Sequence, residues 1–201
     1  DPNLALKADA KAMLGSAVKD IEATIDLGNI SPKVLGLTDK WNNGTFSGQC
    51  VANLHGSNID DIVGTLDIKD LKMTGGNVKP EGIPEDYVVN RLRFSSLRNG
   101  AERTMIVEGD DIKLHLKGEF TPSQLKNTVI GLVKSELPSL PGLEDNISGA
   151  GNVVVDGQLL STEWLRKLLG VDIDLHRPAT LQGYINGYTK QANMFLDVPS
   201  V

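Results

Sequence analysis

Three histidines and one cysteine are the side chains of this sequence best suited to catalysis. His55, His115 and His176 each lie in an alternating, strand-like context, and no serine or cysteine stands in the Gly-x-Ser-x-Gly arrangement of a nucleophile elbow. The stretch GTFSG at residues 44–48 does not fit that arrangement. A hydrolase therefore remains a hypothesis for which the sequence pairs no nucleophile with a base.

A metal or dinucleotide site is equally hard to build. Asp172, Asp174 and His176 would share one strand face in VDIDLH, but the residues between them are apolar, which is the ordinary pattern of an amphipathic strand with a wet side. The segment GAGNVV lacks the last glycine of the dinucleotide fingerprint, and a strand pattern follows it. Cys50 falls on an apolar strand face, which favours an inert packed thiol. We expect no catalytic residue, no metal and no cofactor.

Composition limits the partners of the chain. Of its 201 residues, 40% are hydrophobic and 23% are charged, so the chain can bury a core. The formal net charge is −6 and lysines and arginines are not clustered, which argues against nucleic acid and against an anionic membrane surface as partners. A single cysteine excludes an internal disulfide and a cysteine-cluster zinc site. We expect one domain over residues 1–201, with a candidate hinge in the Pro/Gly-rich stretch 137–152.

The first residues of the sequence and the length of its apolar stretches indicate how the chain could contact a membrane. No apolar run approaches the roughly 20 residues that cross a bilayer. The first residues, DPNLALKADAK, lack the layout of a signal peptide, and the sequence does not begin with Met. We interpret the chain as a mature product or an internal fragment, whose membrane contacts would come only from flanking regions.

Most of the chain alternates apolar and polar residues with a period of two, which predicts β-strands with one wet face. The pattern occurs in DIEATIDL, FSGQCVANL, VVNRLRFSS, DDIKLHLKGEF, ATLQGYI and NMFLDV. Such strands favour an antiparallel sheet over a parallel sheet buried between helices. The predicted fold class is mainly β: a curved antiparallel sheet folded into an open groove, or a sandwich, with two to four short helices.

Local signals place a bulge and the helices. In TLDIKDLKM the apolar positions change parity after Ile68, which predicts a bulge near Lys69 and Asp70. SPKVLGL and SNIDDIVG are predicted as short helical pieces, the second capped by Ser57 and ended by Gly64. TPSQLKNTVIGLVKSELP has capping-box spacing and an apolar stripe of Leu125, Val129, Leu132 and Val133, and STEWLRKLLG repeats this design with Trp164, Leu165, Leu168 and Leu169. Both longer helices are interpreted as plugs or caps on the sheet.

The inward apolar rows are the candidate functional surface. If the sheet is curved and unclosed, these rows would line a trough for acyl chains, with about 0.8 kcal/mol from each buried methylene. If the rows close on each other, they form a sandwich core instead. The candidate groove residues are Phe46, Leu54, Leu66, Ile68, Leu92, Phe94, Ile106, Ile112, Leu114, Leu116, Leu181, Ile185, Met194 and Leu196.

Two consecutive motifs carry a resemblance to a known family. FSGQCVANLHG at residues 46–56 fits F/I-S-x-x-x-x-A-N-L-x-G, and NIDDIVGTLDIKD at 58–70 fits N-I-D-x-x-x-G-x-L-x-I-x-D. In this order they resemble the repeats of the AsmA-like superfamily, in particular the TamB-type translocation and assembly module proteins of Bacteroidetes. The segments that begin with VVNRLRFSS and STEWLRKLL resemble later sections of the same family. The motifs are loose patterns of Gly, Asn, Asp and apolar residues, so specificity comes from their order.

The resemblance implies a section of a long periplasmic protein that is anchored in the inner membrane and extends towards the outer membrane. Its sheet would curl into a taco-like groove with an apolar interior. The implied role is phospholipid transport between the membranes and outer-membrane protein assembly with an Omp85-type barrel, which would bind through regions outside this chain. No catalytic or ligand residue carries over; only the inward apolar strand positions correspond.

The competing hypothesis is a closed β-sandwich that serves as a structural or adhesive module for a protein or glycan partner. Aromatic residues make up only 4% of the chain, which argues against a carbohydrate platform. Trp41 and Trp164 are more simply explained as packed residues than as displayed ones. Uptake of a lipid probe would separate the open groove from the closed sandwich.

Overall fold

The described residues form one antiparallel sheet and one helix. The computed structural model describes residues 4–13, 19–31, 33, 44–74, 86–136, 151–164, 167, 173–189 and 191–199. The sheet has ten strands, and each strand pairs with its neighbour in the sequence from β1 to β10. The elements are β1 (Leu4–Met13), β2 (Lys19–Ile30), β3 (Thr45–Gly56), β4 (Val63–Thr74), β5 (Tyr87–Asn99), β6 (Glu102–Gly109), β7 (Ile112–Gly118), α1 (Pro122–Glu136), β8 (Asn152–Leu159), β9 (Ala179–Asn186) and β10 (Gln191–Asp197).

This architecture confirms the mainly β class and the single antiparallel sheet. Within the described part of the chain, the outer strands β1 and β10 each pair with a single strand, so the sheet is open at both edges. All of the described strands belong to this one sheet, and within the described part of the chain no second sheet packs against it as a sandwich would require. Of the two predicted arrangements, an open sheet and a sandwich, the open sheet is therefore correct.

Two bulges keep the apolar residues on one side of the sheet. Between β3 and β4 the register shifts after Ser47, where Gly48 alone stands opposite two residues of β4. One of these is Asp70, which has a left-handed φ of 49°. A second shift near Gly28 in β2 has the same effect on the pairing with β1. The bulge predicted at Lys69 and Asp70 is thus confirmed, and it explains how the parity of the apolar residues changes without a change of face.

Helix α1 begins with the predicted capping box. The backbone N–H of Thr121 donates to Gln124 Oε1 over 2.9 Å, and the backbone N–H of Gln124 donates to Thr121 Oγ1 over 3.3 Å. The predicted apolar stripe is only partly correct, because Leu125 packs against the core whereas Val129 is 43% exposed. The buried side of the helix includes Thr128 instead, whose hydroxyl donates to the carbonyl oxygen of Gln124 over 2.8 Å.

Other local predictions require correction. The segment SNIDDIVG is not a helix but a turn, in which the N–H of Ile62 donates to the carbonyl oxygen of Asn58 over 3.1 Å, and Gly64 belongs to β4. Residues 173–175 are irregular and not a strand, because they leave the sheet before β9 begins. Some of the predicted features lie outside the described residues: residues 137–150 of the predicted hinge, most of SPKVLGL, most of the Leu-rich stripe in STEWLRKLLG, Asp172 and Trp41.

Candidate functional site

One uninterrupted row of small and apolar residues crosses the sheet. Residues that stand directly opposite each other in an antiparallel sheet share a face, so the row can be read strand by strand. It consists of Ala10, Ala23, Ala52, Leu66, Phe94, Val107, Leu114, Gly157, Leu181 and Leu196, one residue from each strand. We call this side of the sheet the apolar face, and the side reached by the alternating residues the polar face.

All of the sequence-predicted groove residues except Ile106 lie on the apolar face. These residues are Phe46, Leu54, Leu66, Ile68, Leu92, Phe94, Ile112, Leu114, Leu116, Leu181, Ile185, Met194 and Leu196. Ile106 stands opposite Ser95 and His115 on the polar face. Its neighbours Met105 and Val107 occupy the apolar face, and the two-residue period of a strand excludes Ile106 from that side.

The apolar face has a filled half and an uncovered half. Under helix α1, a buried cluster fills the space over the strands from β7 to β9, with Leu125 of the helix packed against it. The cluster consists of Leu116, Phe120, Val153, Val155 and Ile185. In β2, β3 and β4, by contrast, no residue is fully buried, so the apolar side chains there remain partly open to solvent.

A cavity lies at the C-terminal end of the apolar face. It has a volume of about 460 Å³ and lies between β7, β8, β9, β10 and the segment 173–175. We call it the C-terminal cavity; its apolar walls include Ile112, Leu114, Leu159, Leu175, Leu181 and Leu196. The covering segment is held by Thr162, whose hydroxyl donates to the carbonyl oxygen of Ile173 over 2.6 Å.

Gly157 leaves the floor of this cavity open. It stands between Leu114 and Leu181 in the row across the sheet. A Cβ atom at this position would lie 3.4 Å from Leu114 Cδ1 and 3.7 Å from Leu181 Cβ, which are ordinary or slightly close contacts. The missing side chain therefore contributes directly to the empty volume.

The polar face carries paired charges. Asp67 in β4 accepts a hydrogen bond from Arg91 over 3.2 Å and lies 3.9 Å from Arg93 Nε, both in β5. At the edge, Arg177 donates to both carboxylate oxygens of Asp197 over 2.7 and 2.9 Å. This pairing lowers the pKa of Asp197. These charges keep the polar face in water and give the two sides of the sheet opposite character.

His55 and His115 do not converge on each other. His55 in β3 contacts Asp20, and His115 in β7 stands opposite Asp156. Strands β3 and β7 are four strand spacings apart, about 19 Å. The serine in the row of His115 is Ser95, which lies two strands away with Ile106 between them, a separation of about 10 Å. Nucleophile and base would need a separation near 3 Å, so this row offers no hydrolytic pair.

The described residues also do not meet the requirements of a metal site or of a reactive thiol: they group no set of metal ligands, and the one cysteine is partly buried. Within the part of the chain that the structure describes, no three His, Cys, Asp or Glu residues are grouped as a metal site. Cys50 is half-buried on the apolar face, and burial raises the pKa of its thiol. A raised pKa disfavours the reactive thiolate.

A buried arginine positions the helix that covers the filled half. Arg103 is 1% exposed and donates from Nη1 to the carbonyl oxygen of Ile62 and to Ser96 Oγ, each over 2.8 Å. Its Nη2 donates to the carbonyl oxygen of Asp60. The Asp60 carboxylate in turn accepts the backbone N–H of Ser123 over 2.8 Å, in the first turn of α1. Because of this hydrogen bond, the pKa of Asp60 is lowered.

Sequence reasoning missed Gly157, the covering segment and Arg103. In NVVVDGQL the residues Val153, Val155, Gly157 and Leu159 alternate, so the glycine could have been recognised as a gap in an apolar row. The covering segment gave no such signal, since its position depends on contacts with distant strands. Arg103 is an ordinary charged residue in the sequence, and only the fold shows that it is buried.

Comparison with family models, with curated proteins and with solved structures gave no match. In the described part of the chain, every helix falls short of the length and apolar character that a membrane span requires.

Proposed function

We propose that this chain is a non-enzymatic section of a lipid-handling scaffold, in which the apolar face solvates acyl chains. The observation that carries the proposal is the row from Ala10 to Leu196, which crosses all ten strands without a charged residue. Since the half formed by β2, β3 and β4 is not fully buried, acyl chains have access to it.

The chemistry of the face favours a tail over a headgroup. Hydrocarbon binds by leaving water, at about 0.8 kcal/mol for each buried methylene, and needs no directional partner. The side chains of the row offer no hydrogen-bonding group, so they hold a tail without fixing its position. Low specificity follows from this lack of polar contacts.

The resemblance to AsmA-like repeats supports the setting that we propose. In that setting the chain is a periplasmic section of an envelope protein anchored in the inner membrane. Its cargo is phospholipid, and an Omp85-type barrel engages regions outside this chain. A closed sandwich module is the competing function, and it would need a second sheet over the apolar face.

Uptake of a photo-crosslinkable phospholipid tests the proposal. Leu66→Asp places a charge in the uncovered half, where Leu66 stands opposite Ala52 and Phe94. We expect crosslinking to fall at least about fivefold, because the charge must be desolvated when a tail covers it. The matched control is Thr65→Asp, which adds the same charge one residue away on the polar face.

The control should crosslink as the unmodified chain does, and circular dichroism should show that both variants keep their strand content. Equal crosslinking of Leu66→Asp and Thr65→Asp would show that tails do not use the apolar face. An unmodified chain that takes up no lipid would also refute the proposal.

A further inference from the structure

We propose that the C-terminal cavity is a discrete site for one unbranched, long-chain fatty acid. The inference rests on the proposed function, because it assigns the acyl class to one end of the apolar face. It goes further by predicting a saturable, stoichiometric site with a limit on chain length. The uncovered half, by contrast, provides only a non-specific surface.

The cavity is built as a hydrocarbon site. Lys113, Gln158 and Thr180 border the cavity, but they alternate with the apolar row and their side chains belong to the polar face. The strand residues that line it from the apolar face carry no polar side chain, and Ile173 and Leu175 line it as well. The hydroxyl of Thr162, which also lines the cavity, is already engaged with the carbonyl oxygen of Ile173. A polar ligand would therefore find no free hydrogen-bonding partner on Thr162 or on the apolar side chains. A hydrocarbon tail needs no such partner and leaves the hydrogen bond of Thr162 intact.

The volume fits one chain and not two. An engineered apolar cavity of about 150 Å³ holds benzene, which has six carbons. The cavity here, at about 460 Å³, is roughly three times as large. By this scaling it holds on the order of 15 to 18 carbons, a single long acyl chain. A diacyl lipid would leave its second tail outside.

The route of entry lies at the edge of the sheet. Leu196 is 62% exposed and Val198 is 52% exposed, although both line the cavity. Among the described strands none pairs with the outer side of β10, and the exposure of these two residues leaves this wall open to solvent. A chain can enter across this edge while its carboxylate stays in water.

Binding of parinaric acid, a fluorescent fatty acid, tests the inference. We expect saturation at one molecule per chain and displacement by saturated acids from octanoic to icosanoic. Each added methylene should strengthen displacement about fourfold until the cavity is full, after which affinity should level off. A dipalmitoyl phospholipid should displace the probe poorly. If this phospholipid displaces the probe and the fatty acids do not, the assignment is contradicted.

Gly157→Leu is the decisive variant, because its side chain would occupy the floor. It should weaken parinaric acid binding at least about tenfold. Ser95→Leu is the matched control, since it adds the same side chain on the polar face, opposite Thr65 and Ile106, and should leave binding unchanged. Leu196→Gln provides a second variant at an exposed position, where folding is not at risk, and it should weaken binding about threefold or more.

The outcomes separate this inference from the proposed function. If Gly157→Leu and Leu196→Gln bind parinaric acid as the unmodified chain does, the cavity site is refuted, even where Leu66→Asp abolishes phospholipid crosslinking. If Gly157→Leu loses binding while Leu66→Asp still crosslinks phospholipid fully, the cavity site is supported and the scaffold function fails. Linear, unsaturable binding would overturn the cavity site alone.

Discussion

Arg103 donates a hydrogen bond of 2.8 Å to the carbonyl oxygen of Ile62, which connects strand β6 to the turn between β3 and β4. The same turn carries Asp60, whose carboxylate accepts a backbone N–H at the start of helix α1. The helix over the filled half of the apolar face is thereby connected to the sheet through a buried cation.

Replacing Arg103 should lower the stability of the protein. Arg103→Met removes the donor to the Ser96 hydroxyl and to the carbonyl oxygen of Asp60, and it leaves the Ile62 carbonyl oxygen with Ser96 as its remaining donor, so we expect the free energy of unfolding to fall by about 2 to 4 kcal/mol. Urea denaturation measures the change.

Arg91→Met is the control, because the Arg91 side chain is 55% exposed and Asp67 retains Arg93 beside it, so it should cost less than about 1 kcal/mol. If both variants lose the same free energy of unfolding, the hydrogen bonds of Arg103 contribute no more to stability than the exposed ion pair of Arg91.

Two carboxylates should give opposite dependences on pH. The backbone hydrogen bond from Ser123 lowers the pKa of Asp60, so its contribution to stability is present above the unfolded value of about 3.9 and is lost as pH falls through the folded value. Burial raises the pKa of Asp111, so its contribution is present below about 3.9 and is lost as pH rises through the folded value.

Asp60→Asn should therefore destabilise the protein at pH 7, and the difference from the unmodified chain should shrink as the solution becomes acidic. Asp111→Asn should stabilise the protein at neutral pH, and that gain should also vanish below about pH 4. Urea denaturation of both variants across this range is the measurement. A gain in stability for Asp60→Asn at neutral pH would contradict the role of Asp60 as a helix cap.

The strands were largely predictable because alternation is a local signal. β2, β3, β5, β7, β9 and β10 follow from their two-residue periods, and the bulge at Asp70 follows from a change of parity. β1 was not predicted, since LALKADAKAM contains alanine and lysine, which favour strands only weakly, and its extended form comes from pairing with β2. In β6 the run Met105, Ile106, Val107 hides the period, which is why Ile106 was assigned to the wrong side.

The candidate site was predictable as a face but not as a cavity. Alternation shows which residues share a side, whereas covering depends on distant segments. The position of residues 173–175 over Leu114 and Leu181 is set by tertiary contacts, and nothing in VDIDLH distinguishes it from a strand. The burial of Arg103 has the same origin, because its partners Ile62 and Asp60 are far from it in the sequence.

Gly64 should not tolerate a side chain. Its φ is +123°, and an added Cβ would lie 2.0 Å from the carbonyl oxygen of Asn53 in the neighbouring strand. We expect Gly64→Ala to lower the free energy of unfolding by at least about 2 kcal/mol. Gly100→Ala is the control: its φ of +61° is also left-handed, but nothing lies within 4 Å, so the cost should be about 1 kcal/mol. A smaller loss for Gly64→Ala than for Gly100→Ala in thermal unfolding would contradict the close approach of β3 and β4.

The last prediction concerns self-association through strand β10. No described strand pairs with the outer side of this edge strand, and Phe195 on its polar face is 67% exposed. The opposite edge, β1, carries Lys7, Asp9 and Lys11 on the polar face, and such charges discourage strand addition. We therefore expect the chain to associate through β10 as its concentration rises.

Phe195→Lys should shift the chain towards monomer in sedimentation velocity experiments, because a lysine must lose water when a second strand pairs beside it. Leu97→Lys is the matched control: Leu97 is 62% exposed on the polar face of the inner strand β5, so it adds the same charge away from either edge. If Leu97→Lys reduces association as strongly as Phe195→Lys, general surface hydrophobicity causes the association. A selective effect of Phe195→Lys would locate the contact at the same edge through which a fatty acid is proposed to enter the C-terminal cavity.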